Sequence, residues 1–101
     1  MRRRVRVLVW LRTADHAGVT ETYRLTSQEL AGTAGLVGSE LIRSLDDPAS
    51  YAVVSEWESM DAFSTWEQGP AHREATTPLR HLQDRARDGG TYGVYEVTAA
   101  F

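Results

Sequence analysis

A chain of 101 residues with 42% hydrophobic content has room for one domain, residues 1–101, burying roughly 65% of its unfolded surface and folding without staples. It contains no cysteine, which excludes disulfides, thiolate metal sites and a cysteine nucleophile, and cytoplasmic residence is the simple expectation. The net charge is −3, every basic residue is an arginine, and beyond Arg2-Arg3-Arg4 the arginines are scattered, so no nucleic-acid partner is expected.

The arginines ahead of Val5-Arg6-Val7-Leu8-Val9 imitate the start of a signal peptide, but Arg6 and Arg12 interrupt the apolar run and no small-residue cleavage site follows. No stretch is long enough to cross a bilayer, so no membrane partner is expected either.

In chain order, Val5, Val7, Val9 and Leu11 alternate with Arg4, Arg6, Leu8, Trp10 and Arg12, the period-2 pattern of a strand with apolar weight on both faces. From Ala17 to Ala31 the period lengthens: Val19, Tyr23, Thr26 and Leu30 make one stripe of an amphipathic helix, ended by Gly32 and Gly35. Leu36–Leu45 and Tyr51–Glu58 read as a hairpin across Asp46-Asp47-Pro48-Ala49-Ser50, with Val37, Ser39, Leu41, Arg43 and Leu45 sharing a face. On the second strand Tyr51, Val53, Ser55 and Trp57 share one.

Ser59 is placed to cap a helix that carries Asp61 in its first turn and Ala62, Phe63 and Trp66 on its apolar side. Gly69 stops it, and Pro70 starts a short helix with Ala71, Ala75 and Leu79 as core contacts, kinked or ended by Pro78. Leu79 to Arg87 reads as a frayed polar turn and Asp88-Gly89-Gly90 as a loop. Thr91–Ala100 alternates once more as a closing strand.

Strand, helix, strand, strand, helix, strand is the order of a ferredoxin-like βαββαβ α+β fold: a four-stranded antiparallel sheet with helices on one face. Its other face would hold Leu8, Trp10, Val54 and Tyr95 or Val97, too apolar to leave wet, so a homodimer packed sheet against sheet is expected.

The stretch from Ser55 to Pro78 concentrates the chemistry. It holds Trp57, Phe63, Trp66, His72 and Arg73, which suggests a pocket with an aromatic wall and a titratable edge. No H-x-H or H-x-x-x-H pair and no carboxylate cluster stands at ligand spacing, so no metal is expected.

Gly35-Leu36-Val37-Gly38-Ser39-Glu40-Leu41, Val53-Val54-Ser55-Glu56-Trp57-Glu58-Ser59 and Ala62-Phe63-Ser64-Thr65-Trp66 resemble the antibiotic biosynthesis monooxygenase family of the dimeric α/β-barrel superfamily, over about Val5 to Val97. The resemblance implies a pocket between sheet and helices in each subunit, used in several members to oxygenate aromatic polyketides without metal or flavin. It also implies an Asn on the first strand, a Trp on the second helix and a nearby His. Trp66 matches the Trp, whereas the sequence contains no Asn. A related haem-degrading branch ligates iron through a His ten positions after the Trp, where this chain has Thr76.

These implications suggest a cofactor-independent monooxygenase acting on an anthrone- or naphthol-like substrate with dioxygen. His72 would be the base, Arg73 the anion stabiliser and Trp66 the stacking wall, with Tyr23, Tyr51, Trp57 and Phe63 binding substrate and no cofactor. Two other readings use the same residues: a polyketide cyclase or isomerase that enolises without oxygen, and a non-catalytic binding dimer. His81 and His16 lie in polar stretches and read as solvated. Arg43 alternates with core residues and points to the pocket or the dimer interface, and Arg80 is expected to pair with a neighbour such as Asp84.

Overall fold

The computed structural model describes residues 3–101, so Arg2 of the basic triplet lies outside the described residues. The elements are β1 (Val5–Arg12), α1 (His16–Leu30), β2 (Leu36–Arg43), β3 (Ser50–Trp57), α2 (Met60–Gln68), α3 (Pro70–Thr76), a 3₁₀ turn (Thr77–Leu82) and β4 (Tyr92–Glu96). The strands form one antiparallel sheet in the order β2-β3-β1-β4, the ferredoxin-like arrangement. Among the described residues, no helix is long and apolar enough to cross a membrane.

Alternation in β1 sorts the two faces. Val5, Val7, Val9 and Leu11 stand opposite Trp57, Ser55, Val53 and Tyr51 of β3 on the helix-covered side, while Leu8 and Trp10 face Val54 and Ala52 on the outer side. Two buried clusters fill the covered side. One joins Leu11, Val19, Tyr51, Val53 and Leu79; the other joins Val5, Val7, Trp57 and Phe63. The α1 stripe is as the spacing predicts, with Val19, Thr26 and Leu30 buried and Tyr23 half-buried.

Local chemistry fixes the helix that carries the aromatic wall. The Ser59 hydroxyl accepts from the Ala62 amide, satisfying one of the free donors of α2's first turn. Gly69 ends α2 in extended backbone and Pro70 opens α3, where its missing N–H leaves no bond unmade. At the start of β2, Gly35 has φ +83° and its backbone lies so close to α2 that a Cβ there would stand 2.4 Å from that of Ala62.

The structure departs from the sequence reading in five places. A β-bulge between Leu36 and Gly38 sets Leu36 opposite Trp57 and Ser39 opposite Ser55, so Val37 leaves the face of Ser39, Leu41 and Arg43 and is exposed. β2 ends at Arg43 rather than Leu45, where the Ser44 hydroxyl accepts from the Asp46 and Asp47 amides and starts the turn, and β4 is limited to Tyr92–Glu96, where its partner β1 begins at Val5. Ala71 is exposed, leaving Ala75 and Leu79 as the buried contacts of that segment. The frayed turn after Pro78 is an ordered 3₁₀ turn, anchored where the Asp84 amide donates to the Trp10 carbonyl at 2.9 Å.

Candidate functional site

The two core clusters do not meet completely. Between them, under α1, α2 and α3, lies a cavity of about 390 Å³, within the size range of small-molecule sites. Val7, Val9 and Val53 form its sheet-side floor, and Trp57, Phe63 and Trp66 its aromatic wall. The rings are packed in series: Trp57 and Trp66 have centroids 5.0 Å apart, Trp57 and Phe63 5.6 Å, and Trp66 meets His72 edge-on at 4.6 Å and 89°. Trp57 is fully buried and its indole N–H donates to the Ser55 hydroxyl at 2.9 Å, which leaves the Ser55 hydrogen free for the cavity that Ser55 also lines.

His72 sits on α3, at the cavity's polar edge with Glu67, Thr76 and Arg80. Burial pushes the His72 pKa below the usual imidazole value, Glu67 opposes that shift, and Arg80 and then Arg73 reinforce it. The shift favours the neutral imidazole, the form that can accept a proton. Thr76 donates its hydroxyl to the His72 carbonyl at 2.8 Å, tying the turn together.

Of the residues expected at the site, Trp57, Phe63, Trp66 and His72 line this one cavity. Arg73 does not: it is exposed, one residue and about 100° of helix rotation from His72. Arg80 lines the cavity instead. Residues 72, 76 and 80 are spaced i, i+4, i+8, a helical stripe that, had it been counted, would have joined His72, Thr76 and Arg80. The expected partner of Arg80, Asp84, pairs with Arg12 at 3.5 Å. Thr26 and Leu30 of α1, Leu79 of the 3₁₀ turn, and Gln83, Thr91 and Tyr92 complete the lining.

Tyr23 and Tyr51 do not reach the cavity. With His16 and Arg43 they line a separate shallow depression near the β2–β3 hairpin. His81 is exposed. Among the described residues, no group of three or more histidines, cysteines or carboxylates is arranged to hold a metal ion.

Residues 10–77 match the family described as Antibiotic biosynthesis monooxygenase. Among curated proteins, the chain is 35% identical over 78 residues to Protein SchA of Streptomyces halstedii and 31% identical over 78 residues to the 42.8 kDa protein in the whiE locus of Streptomyces coelicolor. Each match covers 75% of this chain but only 20% of the relative, so the chain spans about a fifth of their length. Among solved structures, SnoaB, a cofactor-independent oxygenase from Streptomyces nogalater, superposes with a TM-score of 0.77 at 21% identity, covering 99% of this chain and 97% of that one. A conserved protein from Methanosarcina mazei gives 0.69 at 16% identity over 92% and 91%. At these identities the two structural likenesses establish the fold alone.

Proposed function

The chain belongs to the antibiotic biosynthesis monooxygenase family, and from that premise we propose that it is a cofactor-independent monooxygenase oxidising an anthrone- or naphthol-like aromatic substrate of polyketide type. The observation that carries this reading is the His72 imidazole, held edge-on to Trp66 in an aromatic-walled cavity that Arg80 also lines. The cofactor-independent oxygenase activity in the description of SnoaB agrees with it.

Such an oxygenation needs little from the protein beyond a base, an anion site and a dry pocket. For an anthrone, His72 takes a proton from the ring methylene and the resulting anion is stabilised by a guanidinium. In this role Arg80 replaces Arg73, because Arg80 lines the cavity. The electron-rich anion passes an electron to dioxygen, and recombination forms a carbon–oxygen bond at the former methylene. The peroxide so formed takes up a proton and loses water, leaving a carbonyl. One oxygen atom stays in the product, the other leaves as water, and the methylene carbon supplies all four electrons. Trp57, Phe63 and Trp66 hold the flat substrate against the floor.

The absent Asn favours one competing reading, in which the same base and cation only enolise and fold the substrate, without oxygen. Oxygen uptake on adding a reduced anthrone under air separates the two. The proposal expects stoichiometric uptake above the buffer rate, lost in His72→Ala. Product formed without oxygen supports the enolising reading, and no product in either atmosphere supports a binding protein.

The proposal includes a homodimer and cytoplasmic residence. Leu8, Trp10, Val54 and Tyr95 lie on the uncovered face of the sheet, Tyr95 exposed and the others half-buried, a surface that suits a second copy of the chain.

A further inference from the structure

Tyr23, Tyr51 and Arg43, which the cavity leaves out, come together elsewhere. A depression of about 410 Å³ opens under the first turns of α1, on the helix-covered side of the β2–β3 hairpin, and shares no lining residue with the first cavity. Tyr51 packs in the buried cluster that also contains Val53 and Leu79, which line the first cavity, so that cluster is the partition between the two hollows.

Arg43 and Tyr51 are direct cross-strand partners on the helix-facing side, and Leu41 is the next residue of β2 on that side. The Tyr51 ring is buried, and its hydroxyl lies 2.5 Å from His16 Nδ1. When that hydroxyl donates to Nδ1, His16 keeps its hydrogen on Nε2, a donor on the ring edge away from Tyr51. Tyr23 donates its hydroxyl to Ser39 at 3.0 Å, which holds its ring beside Leu41.

The charge here is one-sided in a chain whose net charge is −3. None of the six lining residues is acidic, and Arg43 takes part in none of the ion pairs among the described residues. Among the carboxylates nearby in sequence, Asp15 caps α1 through the Gly18 amide, Glu21 pairs with Arg24 and Asp47 with Arg12, while Glu40 stands on the opposite face of the sheet beside Val54 and Asp46 is exposed in the hairpin turn. A guanidinium, an imidazole and the apolar surfaces of Tyr23 and Leu41 therefore line one open concavity.

We propose that this depression is a second binding site, for a planar aromatic carboxylate. Its carboxylate meets the planar fork of Arg43 and the His16 Nε2–H, and its ring lies between Tyr23 and Leu41. A bare phosphate engages Arg43 alone and leaves the apolar walls unused. The assignment is independent of the reaction proposed for the first cavity.

Backbone amide shifts of the ¹⁵N-labelled chain, titrated separately with sodium benzoate and sodium phosphate, test it. Benzoate is expected to saturate, with shifts confined to residues 16–23, 41–43 and 50–51, while phosphate produces no saturable change. Arg43→Ala, at an exposed position, is expected to weaken benzoate about tenfold, the loss typical of a charge-assisted pair, and His72→Ala to leave its affinity unchanged. Tyr51→Phe keeps the buried ring and removes only the hydroxyl that orients His16. It is expected to weaken benzoate severalfold with the fold intact. Shifts centred on Trp57 and His72, equal response to phosphate, or unchanged benzoate affinity in Arg43→Ala would each overturn the assignment.

Discussion

The two faces of the sheet carry similar apolar weight in the sequence and meet opposite fates. On the helix-covered face Val5, Val7, Leu11, Tyr51, Val53 and Trp57 are all buried; on the other, Leu8, Trp10 and Val54 are half-buried and Ile42 and Tyr95 are exposed. Alternation writes both faces, but α1, α2 and α3 supply cover for one only. The outer face is shielded only in part, where the Arg87 guanidinium stacks 3.4 Å above the Trp10 ring. The covered face is filled at its ends and hollow between its two clusters, and Glu67, His72 and Arg80 line that hollow. The proposed function gives the inner face the chemistry and the outer face the association.

The largest test of that division is at Trp57. Its ring is fully buried and packed on Phe63 and Trp66, so Trp57→Ala should lower the unfolding free energy by about 3–5 kcal/mol in urea denaturation. Trp66→Ala, at a half-buried ring that walls the cavity, should cost less stability than Trp57→Ala. Equal losses at the two positions would break the distinction between core and wall.

The next test is on the outer face. Leu8 and Val54 are direct partners there, and Leu8→Glu sets a carboxylate in the middle of the surface assigned to the second copy. Sedimentation equilibrium should find a wild-type dimer and a Leu8→Glu monomer, with dissociation at least about tenfold easier. A monomeric wild type would remove the role given to this face.

The smallest expected effect is a pH dependence on the inner face. Burial, with Arg80 and Arg73 adding to it, makes the folded state favour neutral His72, so the unfolded chain binds the proton more readily. The corresponding stability is present above the ordinary imidazole pKa of about 6.5 and is lost as pH falls through the lower folded value. Denaturation midpoints should therefore drop on acidification from pH 7 in the wild type, and drop less in His72→Ala.

Much of the fold was legible because strong local signals agreed with it. The valine alternation of β1, the Ser59 cap and the Gly69-Pro70 break each specify backbone through their own neighbours, and each stands where the sequence predicts. The bulge at Val37 was not legible, since one extra residue in a strand leaves alternation intact on either side of it. Site residues divided along the same line. Trp57, Phe63, Trp66 and His72 share one cavity because consecutive elements pack together, whereas the choice between Arg73 and Arg80 depends on rotation about a short helix and its 3₁₀ extension. The separation of Tyr23 and Tyr51 from the cavity arises from the buried partition of Leu11, Val19, Val53 and Leu79, which forms only when the sheet and helices meet.

The most direct test of the whole account is oxygen consumption by the wild type and His72→Ala with a reduced anthrone in air-saturated buffer, from pH 5 to 8. The account predicts uptake by the wild type that holds to a pH below the ordinary imidazole pKa before it declines, and a rate about 10²–10⁴-fold lower in His72→Ala. Wild-type uptake no faster than buffer, or a His72→Ala rate equal to wild type, would contradict it.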